Sequence, residues 1–77
     1  MRIERLVAMA NDIGDYFAAH PEPEAVVEGV ADHMKRFWDP RMRRQLIAHV
    51  EAGGEGLAPG VAEAVRKLAG VTRHTSM

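Results

Sequence analysis

The sequence of 77 residues contains no cysteine. Without thiols the chain cannot form a disulfide, supply a cysteine nucleophile or ligate zinc or an iron–sulfur cluster through sulfur. Ser76 is the only serine and lies next to the last residue, which argues against a serine nucleophile. The four histidines lie in different segments, and none is three or four residues from another, so their spacing is poor for a metal site. The sequence therefore favours a binding protein over an enzyme.

Large apolar side chains and long hydrophobic runs are also scarce. Hydrophobic residues make up 47% of the chain, but 12 of them are alanine and eight are valine, and the aromatics are one Trp, one Tyr and two Phe. A chain of this size buries only about 60% of the surface that it exposes when unfolded, so a partner that covers apolar surface would stabilise it. The longest apolar run, residues 6–10, is far shorter than a signal-peptide core or a membrane span. We therefore expect a cytoplasmic protein with no membrane partner.

The apolar residues recur at spacings of three and four, which is typical of amphipathic helices. A first helix is predicted over residues 3–19 and is expected to end at the prolines that follow. A second helix begins at Pro23, returns antiparallel to the first and ends near Trp38. Asp39 is a good N-cap and Pro40 a good first residue for a third helix, which continues to the glycines after residue 52.

The last third of the chain predicts a glycine-rich loop and one further helix. The loop over residues 53–56 is expected to be flexible, and a short fourth helix follows from Pro59 to a stop at Gly70. The predicted fold class is all-α, a small bundle of three main helices plus a short fourth C-terminal helix. Residues 1–70 are predicted to form a single helical domain and residues 71–77 a flexible C-terminal tail.

Two aromatics and three arginines lie within eight residues at the connection between the second and third helices, Phe37-Trp38-Asp39-Pro40-Arg41-Met42-Arg43-Arg44. The helical stripes place Phe17 and Phe37 in the core and turn Tyr16 and Trp38 towards the edges, where a partner could reach them, and the alternative for Trp38 is that it plugs the end of the bundle. The pair Tyr16-Phe17 and the pair Phe37-Trp38 are expected to lie at opposite ends of the helix hairpin, about 20 Å apart. Trp, Tyr and Arg supply much of the binding energy at protein interfaces. The residues predicted to bind a partner are Tyr16, Trp38, Asp39, Pro40, Arg41, Arg43 and Arg44.

The same segment contains a basic cluster, formed by Lys35, Arg36, Arg41, Arg43 and Arg44. Two explanations fit such a cluster. It can be a solvated helix face, or it can pair with a partner's carboxylates, which the planar guanidinium of arginine binds through two parallel hydrogen bonds. Nucleic acid is a weaker alternative, because the net charge of −1 gives no general attraction to phosphates. Apart from Gln45, the residues that follow the corner have few groups that read base edges. We therefore predict no nucleic-acid partner.

Three blocks of the chain resemble a known family: residues 6–17 (LVAMANDIGDYF), 33–43 (HMKRFWDPRMR) and 53–59 (GGEGLAP). They are similar to the delta subunit of the NAD-dependent, molybdenum-containing formate dehydrogenases of bacteria, and the likeness covers nearly all of residues 6–69. The middle block is the specific one, since amphipathic helices and glycine-rich loops are common.

The resemblance implies a non-catalytic accessory subunit that stabilises the quaternary assembly of a complex oxidising formate to carbon dioxide with NAD. It implies no catalytic, cofactor-binding or metal-binding residue on this chain. The molybdenum cofactor, iron–sulfur clusters, FMN and NAD are expected on the partner subunits, and the catalytic alpha subunit is the expected contact. The alternatives are an assembly factor for cofactor insertion into the catalytic subunit or a small helical nucleic-acid-binding regulator. Self-association of the isolated chain is compatible with its marginal core.

Overall fold

In the computed structural model, the described residues, 2–19 and 22–74, form four α-helices and no β-strand. The helices are α1 (Ile3–Phe17), α2 (Pro23–Phe37), α3 (Pro40–Glu51) and α4 (Pro59–His74). The predicted all-α bundle is confirmed. No helix in this part of the chain has the length and apolar character needed to cross a bilayer.

The fourth helix is longer than the sequence predicted. α4 has 16 residues, against 15 in α1 and 15 in α2, and it continues through Gly70, so the predicted stop there is wrong. A helical glycine costs only about 1 kcal/mol relative to alanine. Burial of the preceding turn, Leu68 and Ala69, outweighs that cost because tertiary packing supplies most helix stability. Residues 71–74 of the predicted tail are therefore helical, and residues 75–77 lie outside the described residues.

Buried side chains lie four residues apart along each helix. Residues at this spacing form one ridge, which packs into the groove of a neighbouring helix. The buried residues are Leu6, Ala10 and Gly14 in α1; Val30 and Met34 in α2, continued by Trp38; Leu46 and Val50 in α3; and Val61, Val65 and Ala69 with Ala62, Ala64 and Leu68 in α4.

The contacts between α1 and α2 show that these helices are antiparallel, as predicted. The ring of Phe17 lies against Gly29. One turn earlier in α1, Ile13 lines the same groove as His33, which is one turn later in α2. Residue numbers that fall on one helix while they rise on the other describe an antiparallel pair.

A glycine in the buried row of α1 allows α4 to approach closely. A Cβ atom added to Gly14 would lie 2.5 Å from Cγ2 of Val61. Val61 is 1% exposed, and its branched side chain has one strongly preferred rotamer in a helix. The absence of a side chain at Gly14 is therefore required by the distance between these two helices.

This close approach predicts opposite effects for two Gly→Ala substitutions. Gly14→Ala should lower the free energy of unfolding by about 1–3 kcal/mol, because overpacking outweighs the gain in helix propensity. Gly70→Ala should raise it by about 0.5–1 kcal/mol, since a Cβ there meets nothing within 4 Å. Urea unfolding followed by circular dichroism measures both, and stabilisation by Gly14→Ala would contradict the packing described.

Side chains from α1 and α3 hold the connection between α3 and α4. Nδ2 of Asn11 donates a hydrogen bond to the carbonyl of Gly56 at 2.9 Å, and Oδ1 accepts one from the backbone N–H of Ala58 at 3.0 Å. Nε2 of His49 lies 2.7 Å from the carbonyl oxygen of Glu55. All three glycines of this connection have positive φ, a region that glycine adopts without steric cost. The loop that was predicted to be flexible is thus anchored to the bundle.

We predict that Asn11→Ala lowers the free energy of unfolding by about 1–3 kcal/mol, because two hydrogen bonds of about 0.5–1.5 kcal/mol each are lost. Asn11→Asp keeps the acceptor for Ala58 but places a carboxylate oxygen against the carbonyl oxygen of Gly56, so it should be at least as destabilising as Asn11→Ala. The exposed Asp15 provides the control, and Asp15→Ala should change the stability by less than about 0.5 kcal/mol. Equal unfolding midpoints in urea for Asn11→Ala and Asp15→Ala would show that the anchor is unimportant.

Candidate partner-binding surface

The two aromatics at the corner between α2 and α3 have the opposite environments from those predicted. Trp38 belongs to the core and is 6% exposed, whereas Phe37 is 73% exposed. Both predictions were wrong because the apolar stripe was continued from Met34 by three residues, to Phe37, whereas the buried row continues by four residues, through Val30 and Met34 to Trp38. Trp38 is the C-cap of α2 and has an extended backbone, with φ −88° and ψ 137°. The sequence does contain a signal for the burial of Trp38, since this residue follows the buried Met34 by four residues.

Two residues fix the direction in which the chain leaves the corner. Oδ1 of Asp39 accepts a hydrogen bond from the backbone N–H of Met42 at 2.9 Å, which confirms the predicted N-cap. Pro40 occupies the first turn of α3, as predicted, and it restricts Asp39 to the extended conformation observed there. Asp39 and Pro40 are both exposed, so both remain within the predicted partner-binding set.

Part of the basic cluster serves the fold itself. Arg43 is half-buried, and its Nη1 donates a hydrogen bond to the carbonyl of Lys35 at 3.3 Å. It thus satisfies a carbonyl in the last turn of α2, where a positive charge also complements the helix dipole. Arg36 pairs with Asp32 one turn earlier, at 3.1 Å between Nε and Oδ2. Arg43 therefore has an internal role that the sequence prediction did not include.

The other two arginines of the corner remain available to a partner. Arg41 and Arg44 lie on the first turns of α3 and are exposed. Neither forms an ion pair with any residue in the described part of the chain. An exposed guanidinium can bind a carboxylate through two parallel hydrogen bonds. The structure thus leaves Arg41 and Arg44 as the basic side chains of the predicted set that suit intermolecular contact.

Four rings from α1 and α2 form a surface that we call the aromatic face: Tyr16, Phe17, His33 and Phe37. Tyr16 is 73% exposed, as expected, and its ring meets that of Phe17 edge to face, with centroids 5.1 Å apart. His33 and Phe37 lie one turn apart on α2, with centroids 4.9 Å apart. Phe17 is half-buried and packs against the core, as the sequence predicted for its apolar stripe.

The exposed aromatics are closer along the helices than the sequence suggested. The register that places Phe17 opposite Gly29 and Ile13 opposite His33 puts Tyr16 level with residue 30. Phe37 lies seven residues farther along α2, which is about 10 Å along the helix axis at 1.5 Å per residue. This axial offset is shorter than it would be if the aromatics lay at opposite ends of the two helices.

An open groove of about 440 Å³ lies between α1 and α2 within this surface, and we call it the α1–α2 groove. It is lined by Asp12, Ile13, Tyr16, Phe17 and His33. The Phe17 ring occupies the space left by Gly29, where an added Cβ would lie 2.5 Å from Cδ1 of that ring. Sequence reasoning missed the groove because it depends on this glycine. The described residues contain no group of three or more histidines and carboxylates placed to hold a metal ion.

A family model described as the NADH-dependent formate dehydrogenase delta subunit, FdsD, matches residues 5–65. The chain belongs to this family. The match includes most of α1, all of α2 and α3 and the first two turns of α4, and it confirms the resemblance found in the sequence. No curated protein and no solved structure matches the chain. An FdsD chain is a subunit of a formate dehydrogenase complex, which implies larger partner subunits.

The exchange of environments at the corner predicts different effects for two adjacent substitutions. Trp38→Ala should lower the free energy of unfolding by about 3–5 kcal/mol, because it leaves a cavity in the core. Phe37→Ala should change it by less than about 0.5 kcal/mol, as is usual for exposed positions. Thermal and urea unfolding of the two purified variants make the comparison. If Phe37→Ala were the more damaging change, the assignment of core and surface would be reversed.

Proposed function

We propose that this chain is a non-catalytic subunit that stabilises the quaternary assembly of a cytoplasmic NAD-dependent formate dehydrogenase. The observation that carries the proposal is the aromatic face on a chain of the FdsD family. Tyr16 and Phe37 are each 73% exposed, and burying such a ring stabilises a complex by about 1.5–3 kcal/mol. Tyr and Arg are also enriched among the residues that dominate interfaces. A contact surface of this composition suits a subunit whose role is to hold larger chains together.

The chemistry of the chain supports a non-catalytic role. It has no cysteine, so it lacks the thiolates that hold iron–sulfur clusters. We propose that these clusters, the molybdenum cofactor, FMN and NAD are bound by the larger subunits. The contribution of this chain would then be thermodynamic, because binding to the folded complex shifts the equilibrium towards the assembled state by mass action.

We propose that the catalytic alpha subunit is the main contact. Arg41 and Arg44 would pair with its carboxylates, while Tyr16 and Phe37 would be buried against it. Trp38, which was first predicted as a contact, would act indirectly by holding Phe37 at the surface. Arg43 would likewise act indirectly, because its hydrogen bond to the carbonyl of Lys35 stabilises the corner between α2 and α3.

Charge reversal at the two free arginines tests this proposal. The double variant Arg41→Glu/Arg44→Glu should be lost from the complex when the alpha subunit is purified by an affinity tag, because like charges would then face each other. Arg66→Glu is the matched control, since Arg66 is exposed on α4 and should be retained. The measured quantity is the ratio of this chain to the alpha subunit, by quantitative mass spectrometry.

The same ratio separates the permanent subunit from the assembly factor. A permanent subunit should stay at a constant ratio to the alpha subunit in the fully loaded, active complex. A chain that is present only before cofactor loading would favour the assembly factor instead. Full retention of the double arginine variant would show that the proposed contact surface is wrong.

A further inference from the structure

We infer that the α1–α2 groove receives an amphipathic helix of a larger subunit, with a Lys or Arg beside the apolar stripe of that helix that pairs with Asp12. This inference rests on the proposed function, since it names the chemistry of the segment that the aromatic face binds. It concerns a different surface element from the arginines of α3, so the two can fail separately.

The shape and lining of the groove favour a helix as its occupant. The groove lies between two antiparallel helices and is open along one side, and its apolar lining comes from Ile13, Tyr16 and Phe17. Side-chain ridges of a third helix pack into a groove of this kind, and amphipathic helices commonly bind proteins in this mode. Ile13 is only half-buried and already packs on the core, so the groove continues the core outwards to the surface.

The charge at the groove selects for a basic partner. Asp12 lines it, is exposed and forms no ion pair with another described residue. The α1 positions three and four residues away are Ala8, Met9, Asp15 and Tyr16, so no cation on this helix neutralises it. An apolar segment without a basic residue would leave the Asp12 carboxylate partly desolvated and unpaired, which costs free energy. A segment with a Lys or Arg next to its apolar stripe avoids this cost.

Charge also disfavours a second copy of this chain as the occupant. In a symmetric dimer each partner presents the same patch, and the groove lining contains the Asp12 carboxylate but no Lys or Arg, so a second copy bound through this patch would bring a further carboxylate and no basic partner for it. Like charges facing across an interface weaken association. A larger subunit can instead supply the complementary charge.

Site-specific photo-crosslinking in the intact complex identifies the occupant. Tyr16 would be replaced by p-benzoylphenylalanine, an aromatic residue that preserves the apolar character of the position, and the chain would be co-expressed with the larger subunits. We expect a cross-link to one larger-subunit peptide with apolar residues at helical spacing and a Lys or Arg within about one turn of them. A cross-link to a second copy, to a peptide without a basic residue, or no cross-link in an intact complex would overturn the inference.

Charge reversal at the groove provides the second measurement. Asp12→Lys should weaken association with the purified larger subunits about tenfold at low salt, and the loss should shrink as added salt screens the repulsion. Glu63→Lys is the control, because this exposed carboxylate lies on α4, outside the α1–α2 groove, and should bind as the unmodified chain does. Unchanged binding of Asp12→Lys together with loss of Arg41→Glu/Arg44→Glu would refute the groove inference and leave the proposed function standing. A chain that never remains with the complex would refute the proposed function itself.

Discussion

The burial of the Trp38 indole fixes the corner between α2 and α3, and the surface proposed for partner binding depends on that corner. Two consecutive extended residues allow Trp38 to turn into the core while α3 restarts at Pro40. Because Trp38 is turned inwards, the adjacent Phe37 is held outwards beside His33. The hydrogen bond from Arg43 to the carbonyl of Lys35, in the last turn of α2, also stabilises this corner. One buried side chain thus determines which of two neighbouring aromatics a partner can reach.

Most of the helical architecture could be predicted from the sequence, and the errors have identifiable physical causes. Proline and Asp39 mark helix starts through local constraints on one or two residues, so the positions of α2 and α3 followed directly. Gly70 did not stop α4, because glycine propensity is a weak local preference and packing of the preceding turn overrides it. The exchange of Phe37 and Trp38 arose because spacings of three and of four residues both continue an apolar stripe, and the step from Met34 was taken as three residues, to Phe37, when the buried row of α2 advances by four, to Trp38.

The binding surface was predictable only in part. The exposure of Tyr16, Arg41 and Arg44 follows from residue type and helix periodicity, since no tertiary contact is needed to place them at the surface. The α1–α2 groove depends on the register between two helices and on the space that Gly29 leaves for the ring of Phe17. A single sequence does not reveal that register. The internal role of Arg43 was also missed, because its partner is a backbone carbonyl eight residues away.

The aromatic face lies on the surface of a closely packed core. The α1 row contains Ala10 and Gly14, and α4 approaches so closely at Gly14 that even a methyl group there would collide with Val61. At this contact between α1 and α4 the interior has no space for an additional side chain, and overpacking it would destabilise the fold. Tyr16 and Phe37 lie outside the bundle, and the apolar surface that this small chain does not bury internally is a surface that a larger subunit can cover.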